Sequence, residues 1–203
     1  MRKFSSILFF ACFALTAMAQ SEIDKYISEA QDYIKQKNYK DAQIALQQAI
    51  SEINSMVGKD VLAALPPMIN EFKANPDDEV VNTGGMGMMG GGFTISRNYY
   101  PPNNNDMSFK VNIVANSPMI ASVNMMINNP MMLGANPDSG KSIKVGNRRG
   151  LLKANAKDKT YELMLPLINS LITLNGNMIK DEATFMQLVT KLDTEKIAKV
   201  LGE

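Results

Sequence analysis

Residues 93–115 read FTISRNYYPPNNNDMSFKVNIVA. Phe109, Val111 and Ile113 alternate with Lys110 and Asn112, the period-two pattern of a strand with one wet face. Residues 93–100 are β-branched and aromatic, and PPNNND between the two runs is made of turn formers. Two strands on a short link imply antiparallel pairing. They also decide how the glycine run just upstream is read. Gly85-Met86-Gly87-Met88-Met89-Gly90 matches G-x-G-x-x-G. A dinucleotide loop must follow a strand and open a helix, whose N-terminus meets the pyrophosphate. Here a strand follows, with no βαβ unit around it, so the match fails on context.

The pattern extends outward in both directions. Ser117-Pro118 reads as an N-cap with proline at the first helical position, opening a helix to about Asn128 that Asn129-Pro130 stops. Strand-like segments follow near 143–145, 151–154, 160–165 and 170–174. Asp181 opens a helix carrying Phe185, Leu188, Val189 and Leu192, and Asp193-Thr194 restarts it for Ile197, Val200 and Leu201. Consecutive strands on short links predict an α+β domain: an antiparallel sheet with helices on one face.

Upstream, residues 21–53 read as two helices. Ser21 to Asp24 has the form of a capping box, and Ile23, Ile27, Ala30 and Ile34 recur at helical spacing. Residues 38–41 read as a turn with Asn38 as N-cap, followed by a stripe of Ala42, Leu46, Ala49, Ile50 and Ile53. A short helix over 60–72, broken at Pro66-Pro67, and a polar connector KANPDDEV follow. The expected organisation is a signal peptide over 1–19, a helical hairpin over 20–57, helix and linker over 58–80, and the α+β domain over 81–203.

The first residues give an address. Arg2 and Lys3 precede an apolar run, 7–15, and Ala17-Met18-Ala19 is a small-x-small cleavage site, so cutting is expected before Gln20. The run is shorter than the roughly 20 residues of a spanning helix. Export to the periplasm or cell envelope, or secretion, is the expectation. The chain has one cysteine, Cys12, inside that segment, and no histidine. A mature chain without either lacks disulfides, thiolate metal sites, cysteine nucleophiles and the commonest general base.

The charge, 21 basic against 20 acidic residues, predicts no nucleic-acid partner. It is uneven. Residues 20–80 hold 6 Lys and 11 acids, a net −5; residues 81–203 hold 13 basic and 9 acidic, a net +4. Lys144, Arg148, Arg149 and Lys153 form a candidate patch for an anionic partner or peripheral anionic surface, weighed against the lysines that guard sheet edges. GANPDSGKS, 134–142, looks like a Walker A loop, but five residues separate its glycines where four are needed, and a strand follows.

Sixteen methionines are many for 203 residues. Met119, Val123, Met126 and Ile127 fall on one helical face and read as core. Met86, Met88 and Met89, set among glycines, read as a partner-contact tip; thioethers also suit Cu(I). Asp77, Asp78 and Glu79 are the acids nearest the glycine run.

Two resemblances add to this. AQDYIKQKNYKDAQIALQQAI is similar to one tetratricopeptide repeat, with Ala30, Tyr33, Tyr39, Ala42, Leu46 and Ala49 at its packing positions, Tyr26 at the tryptophan-type position, and no terminal proline. GMGMMGGGFTISRNYY, ANSPMIASVNMMINNP and MIKDEATFMQLVTKLDTEKIA resemble a group of small exported bacterial proteins with a GMGM-GGG segment and an SPM helix start. The likeness spans roughly residue 61 to the end. Asn116 stands where that group has aspartate, and Phe72 where it has tryptophan. The group carries no established activity, and the order of elements loosely resembles PsbP-like folds. The expectation is a non-catalytic exported envelope protein, an interaction or accessory domain with no cofactor and another envelope protein as partner. The alternatives are a methionine-based Cu(I)/Ag(I) binder and a carboxylate-dependent enzyme.

Overall fold

A computed structural model describes residues 21–83, 92–129 and 140–203. The expected signal peptide, Met86, Met88, Met89 and most of the Walker-like segment lie outside them. The described residues up to Val57 form one compact unit, and Gly58–Glu203 the other.

The first unit is a helical hairpin. Helix α1 spans 21–35 and α2 is Tyr39–Ala64. The turn is a Schellman motif. Asn38 N donates to Tyr33 O at 2.9 Å and Lys37 N to Ile34 O at 3.0 Å, which satisfies the last carbonyls of α1. Lys37 occupies the left-handed position, φ 58°. Asn38 O receives the first bond of α2 from Ala42 N, and its side-chain amide donates to Asp41. The expected break after Ile53 is absent. Gly58 costs about 1 kcal/mol against alanine there, and the buried Val61 and Leu62 outweigh it. Pro66-Pro67 then stop the helix. The expected helix over 60–72 is corrected beyond them: Met68–Ile69 (β1) and Phe72–Ala74 (β2) pair across a two-residue turn with Asn70 at φ 51°.

The second unit is α+β. Its sheet contains β3 (Val80–Asn82), β4 (Phe93–Tyr100), β5 (Ser108–Ala115), β6 (Lys141–Val145), β7 (Arg148–Asn155), β8 (Thr160–Pro166) and β9 (Leu171–Asn177). All pairs are antiparallel, in the order β1-β2-β4-β5-β9-β8-β7-β6, with β3 also on β4. Its helices are α3 (Ile120–Asn128), α4 (Glu182–Val189) and α5 (Thr194–Val200). The N-cap side chains of Asp181 and Asp193 each accept an amide N–H three residues on, at 2.8 Å.

Register assigns the faces. Tyr99, Phe109, Gly176 and Tyr161 lie in one cross-strand row. Phe185 of α4 covers it, its ring centroid 5.9 Å from that of Phe109 and 5.4 Å from that of Tyr161. Gly176 makes room: a Cβ there would sit 2.7 Å from the Phe185 ring. On the same face, past the Arg97, Val111, Leu174 and Leu163 row, the row Ile95, Ile113, Ile172 and Leu165 is fully buried. On the opposite face α3 seats Val123 and Ile127 on Leu151, Met164 and Leu171, with Met126 against them. Met119 departs from the expected core face. It precedes the helix and is 54% exposed. Away from α3 this face is polar, with Asn98, Lys110, Asn175, Glu162 and Lys153 in one row.

Candidate functional site: the open face of the hairpin

The hairpin buries small side chains and leaves large ones out. Ala30 on α1 and Ala42, Ala45 and Ala49 on α2 are buried, with Ile23. Ile27, Ile34, Leu46, Ile50 and Ile53 are 39%, 50%, 44%, 49% and 45% exposed, and Tyr39 64%. This corrects the expected stripes: only Ile23, Ala30, Ala42 and Ala49 of them are core. An alanine seam lets two helices approach closely, so the bulky residues beside it are displaced to the flank.

The displacement is regular. Ile27, Ile34, Leu46 and Ile53 each follow a buried residue (Ile23, Ala30, Ala42, Ala49) by four positions. At about 100° per residue, four positions rotate a side chain by about 40° from the seam. In an antiparallel pair, the same rotation on both helices leads to the same side of the hairpin. Tyr39 and Ile50 turn to that side too. The hairpin therefore presents one two-helix apolar face, on the order of 500 Å² if about half of each large side chain is open, the size of the largest patches that monomers leave exposed. Gln31, Gln43, Gln47 and Asn54 border it, with the charged Asp24 and Lys35 toward its two ends. An apolar centre with a polar rim is the make-up of a protein contact.

The acids near the glycine run have structural partners. Arg97 reaches Glu79 Oε1 through Nε at 2.8 Å and through its terminal nitrogen at 2.6 Å. Its other terminal nitrogen donates to Leu65 O at 2.9 Å, just past the end of α2. Tyr99 donates its hydroxyl to Pro66 O at 2.9 Å, and burial pushes that phenol above its ordinary value. Asp78 accepts from the Tyr100 hydroxyl and from the Asn75 amide, both at 2.9 Å, and the Tyr100 bond raises that phenol in turn. Together these contacts latch the end of α2 and the 75–79 link to β4. Asp77 is exposed.

The basic patch divides between two faces. Arg148 shares a face with Leu152 and binds Glu195 of α5 at 3.0 Å. Lys144 and Arg149 are directly opposed on the other face, both exposed, and Lys153 lies on that face 3.7 Å from Glu162. The Lys144–Arg149 pair is the part of the patch that keeps an unpaired charge. A shallow cleft of about 430 Å³ lies between β7, β8 and β9, lined by Lys153, Glu162, Asn175 and Thr160 among others. The amides at its rim are engaged: Asn155 with Asp158 at 2.8 Å, and Asn177 with the Asp106 carbonyl at 2.9 Å.

Among the described residues no group of three or more His, Cys, Asp or Glu could hold a metal ion, and no helix is long and apolar enough to cross a membrane. The sequence pattern places Ile27, Ile34, Leu46, Ile50 and Ile53 in the two apolar stripes without separating seam from flank. Comparison of the chain with protein-family models, with curated proteins and with solved structures returned no match in any of the three.

Proposed function

We propose that the protein is a non-catalytic interaction domain of the bacterial cell envelope, and that the hairpin makes its contacts. One observation carries this reading: of the seven large apolar side chains exposed on the two helices, all but Ile44 turn to one side, each about two-fifths to two-thirds exposed. Exposed apolar patches of this size mark sites of association. The residues of the signal segment support the address. The resemblance to the GMGM-GGG group supports an exported protein, and Lys144 with Arg149 a secondary anionic contact.

The test is a photo-crosslinking residue at position 50, carried by the chain in its own cells. A crosslinked protein in the envelope fraction, absent when the same residue replaces the outward-facing Gln48, is the expected result. No crosslink at 50 above that control would remove the reading. Intact mass of the recovered protein should begin at Gln20. The soft-metal alternative rests on Met86, Met88 and Met89. Their combined replacement by serine should leave Cu(I) affinity, measured without oxygen against a chelator, unchanged; a sharp fall would put the metal reading in place of this one.

A further inference from the structure

We infer that the occupant of the hairpin face is the same face of a second copy of the chain, the two hairpins lying tip to base as an antiparallel four-helix bundle. This rests on the proposed interaction role and names its partner. A tetratricopeptide-like hairpin does not cover its own apolar side; a stacked neighbour does. One such hairpin is present among the described residues, so a second copy supplies the like neighbour.

Two faces of this size would bury roughly 1,000 Å² together, the point at which specific interfaces begin. Position along the hairpin gives the register. With a rise of about 1.5 Å per residue, Ile34 and Tyr39 lie about 4 Å from the turn, Ile27 and Leu46 about 14 Å, and Ile53 about 24 Å. Reversal about the middle level brings Tyr39 over the partner copy's position 53, and Ile27 and Leu46 close to their own counterparts. On α2, Tyr39 then meets Ile53 and Leu46 meets its own counterpart.

Charge selects this orientation over tip on tip. The tip carries Lys35, Lys37 and Lys40 against Asp32 and Asp41, a net +1, with Lys35 on Asp32 at 2.8 Å and Asp41 held by the Asn38 amide. The base carries Glu22, Asp24 and Glu52, while Lys25 there is taken by Glu29 at 3.8 Å. Tip on tip would gather the lysines of both copies. Tip to base sets Lys40 near the level of Glu52 in the other copy.

The chain from Gln20 onward has no cysteine, so single cysteines report register directly. Light scattering should find a dimer at high micromolar concentration and a monomer for Leu46→Glu with Ile50→Glu, while far-ultraviolet circular dichroism keeps its shape. Under mild oxidation Leu46→Cys should crosslink to itself and Tyr39→Cys, about 20 Å from its own counterpart on the rise above, should not. The reverse pattern overturns the orientation. A monomer at every concentration overturns self-association. In that event a photo-crosslink from position 50 to a different protein leaves the interaction reading standing, and the absence of any crosslink removes both.

Discussion

Replacing Arg97 by methionine tests the latch at the end of α2. Methionine keeps most of the apolar stem and removes the guanidinium. The side chains of Arg97 and Glu79 are 10% and 23% exposed, so the pair is largely withdrawn from water. Without its cation, Glu79 loses its ion pair and the Leu65 and Pro66 carbonyls each lose a donor. Breaking a buried pair from one side costs about 3–5 kcal/mol, and the partial exposure of Glu79 places this case near about 3. For a chain of this size that is about 6–12 °C in Tm. The second substitution carries the reasoning. Glu79→Met on top of Arg97→Met removes the orphaned carboxylate, so the double variant should recover about 1–2 kcal/mol relative to Arg97→Met alone. Urea unfolding followed by circular dichroism measures all four corners of the cycle. A loss below about 1 kcal/mol for Arg97→Met, or additive single effects, would refute the account.

Lys37→Gly should stabilise the hairpin by up to about 1 kcal/mol in the same assay, since Lys37 holds φ 58° in the Schellman turn and glycine takes that conformation without strain. Gly176→Ala should cost about 1–3 kcal/mol, because its Cβ would stand 2.7 Å from the Phe185 ring and 2.9 Å from Ile179 Cγ1, both in the core. The Asp181 carboxyl is held below its ordinary 3.8, first by the Thr184 amide and then by the Thr184 hydroxyl. A depressed folded value gives stability that is present above the unfolded value and lost as pH falls through the folded one. Asp181→Asn, still an N-cap but without the charge, should therefore flatten the fall in stability below about pH 4; an unchanged acid limb would contradict the shift.

The sheet was legible because its signals are local. The alternation of Phe109, Val111 and Ile113 and the run at 93–100 mark β5 and β4, and Asp181 and Asp193 mark the starts of α4 and α5. What escaped depends on partners far along the chain. Met68, Ile69 and Phe72 read as part of a helix broken at Pro66-Pro67, because the pairing of β1 with β2, and of Lys73 and Ala74 with Tyr100 and Tyr99, leaves no local trace. Ser117 looked like an N-cap. Instead its oxygen accepts from Met119 N at 3.3 Å in a preceding turn, and its own N–H goes to Asn169 O at 2.9 Å in the β8–β9 turn. Arg97 carries no sequence sign of its bond to Leu65 O, 32 residues away. For the hairpin, periodicity located the apolar residues correctly. It could not say that alanines would hold the seam and isoleucines the flank, because both lie within one apolar arc.

That division of labour bears on how firmly the hairpin holds. A seam of Ala30, Ala42, Ala45 and Ala49 buries little apolar area per residue, and α1, 21–35, is at the length where an isolated helix is marginal in water, about 12–15 residues. The larger apolar area is on the open face. If a second copy covers it, mass action couples hairpin order to protein concentration: a ligand at 100 times its Kd adds about 2.7 kcal/mol to the state that binds it. The strands β5, β8 and β9, with Phe109, Leu163 and Ile172 fully buried, have their own core and need no such help. Amide hydrogen exchange read by peptide mass should therefore show protection over 21–57 that rises with protein concentration, while peptides from β5, β8 and β9 stay constant. Leu46→Glu with Ile50→Glu should abolish the rise and hold the hairpin at its dilute level. Protection over 21–57 that is equally high at every concentration would mean that the alanine seam suffices alone. The exposed isoleucines would then be tolerated on the surface without a partner, and the case for association through this face would fall.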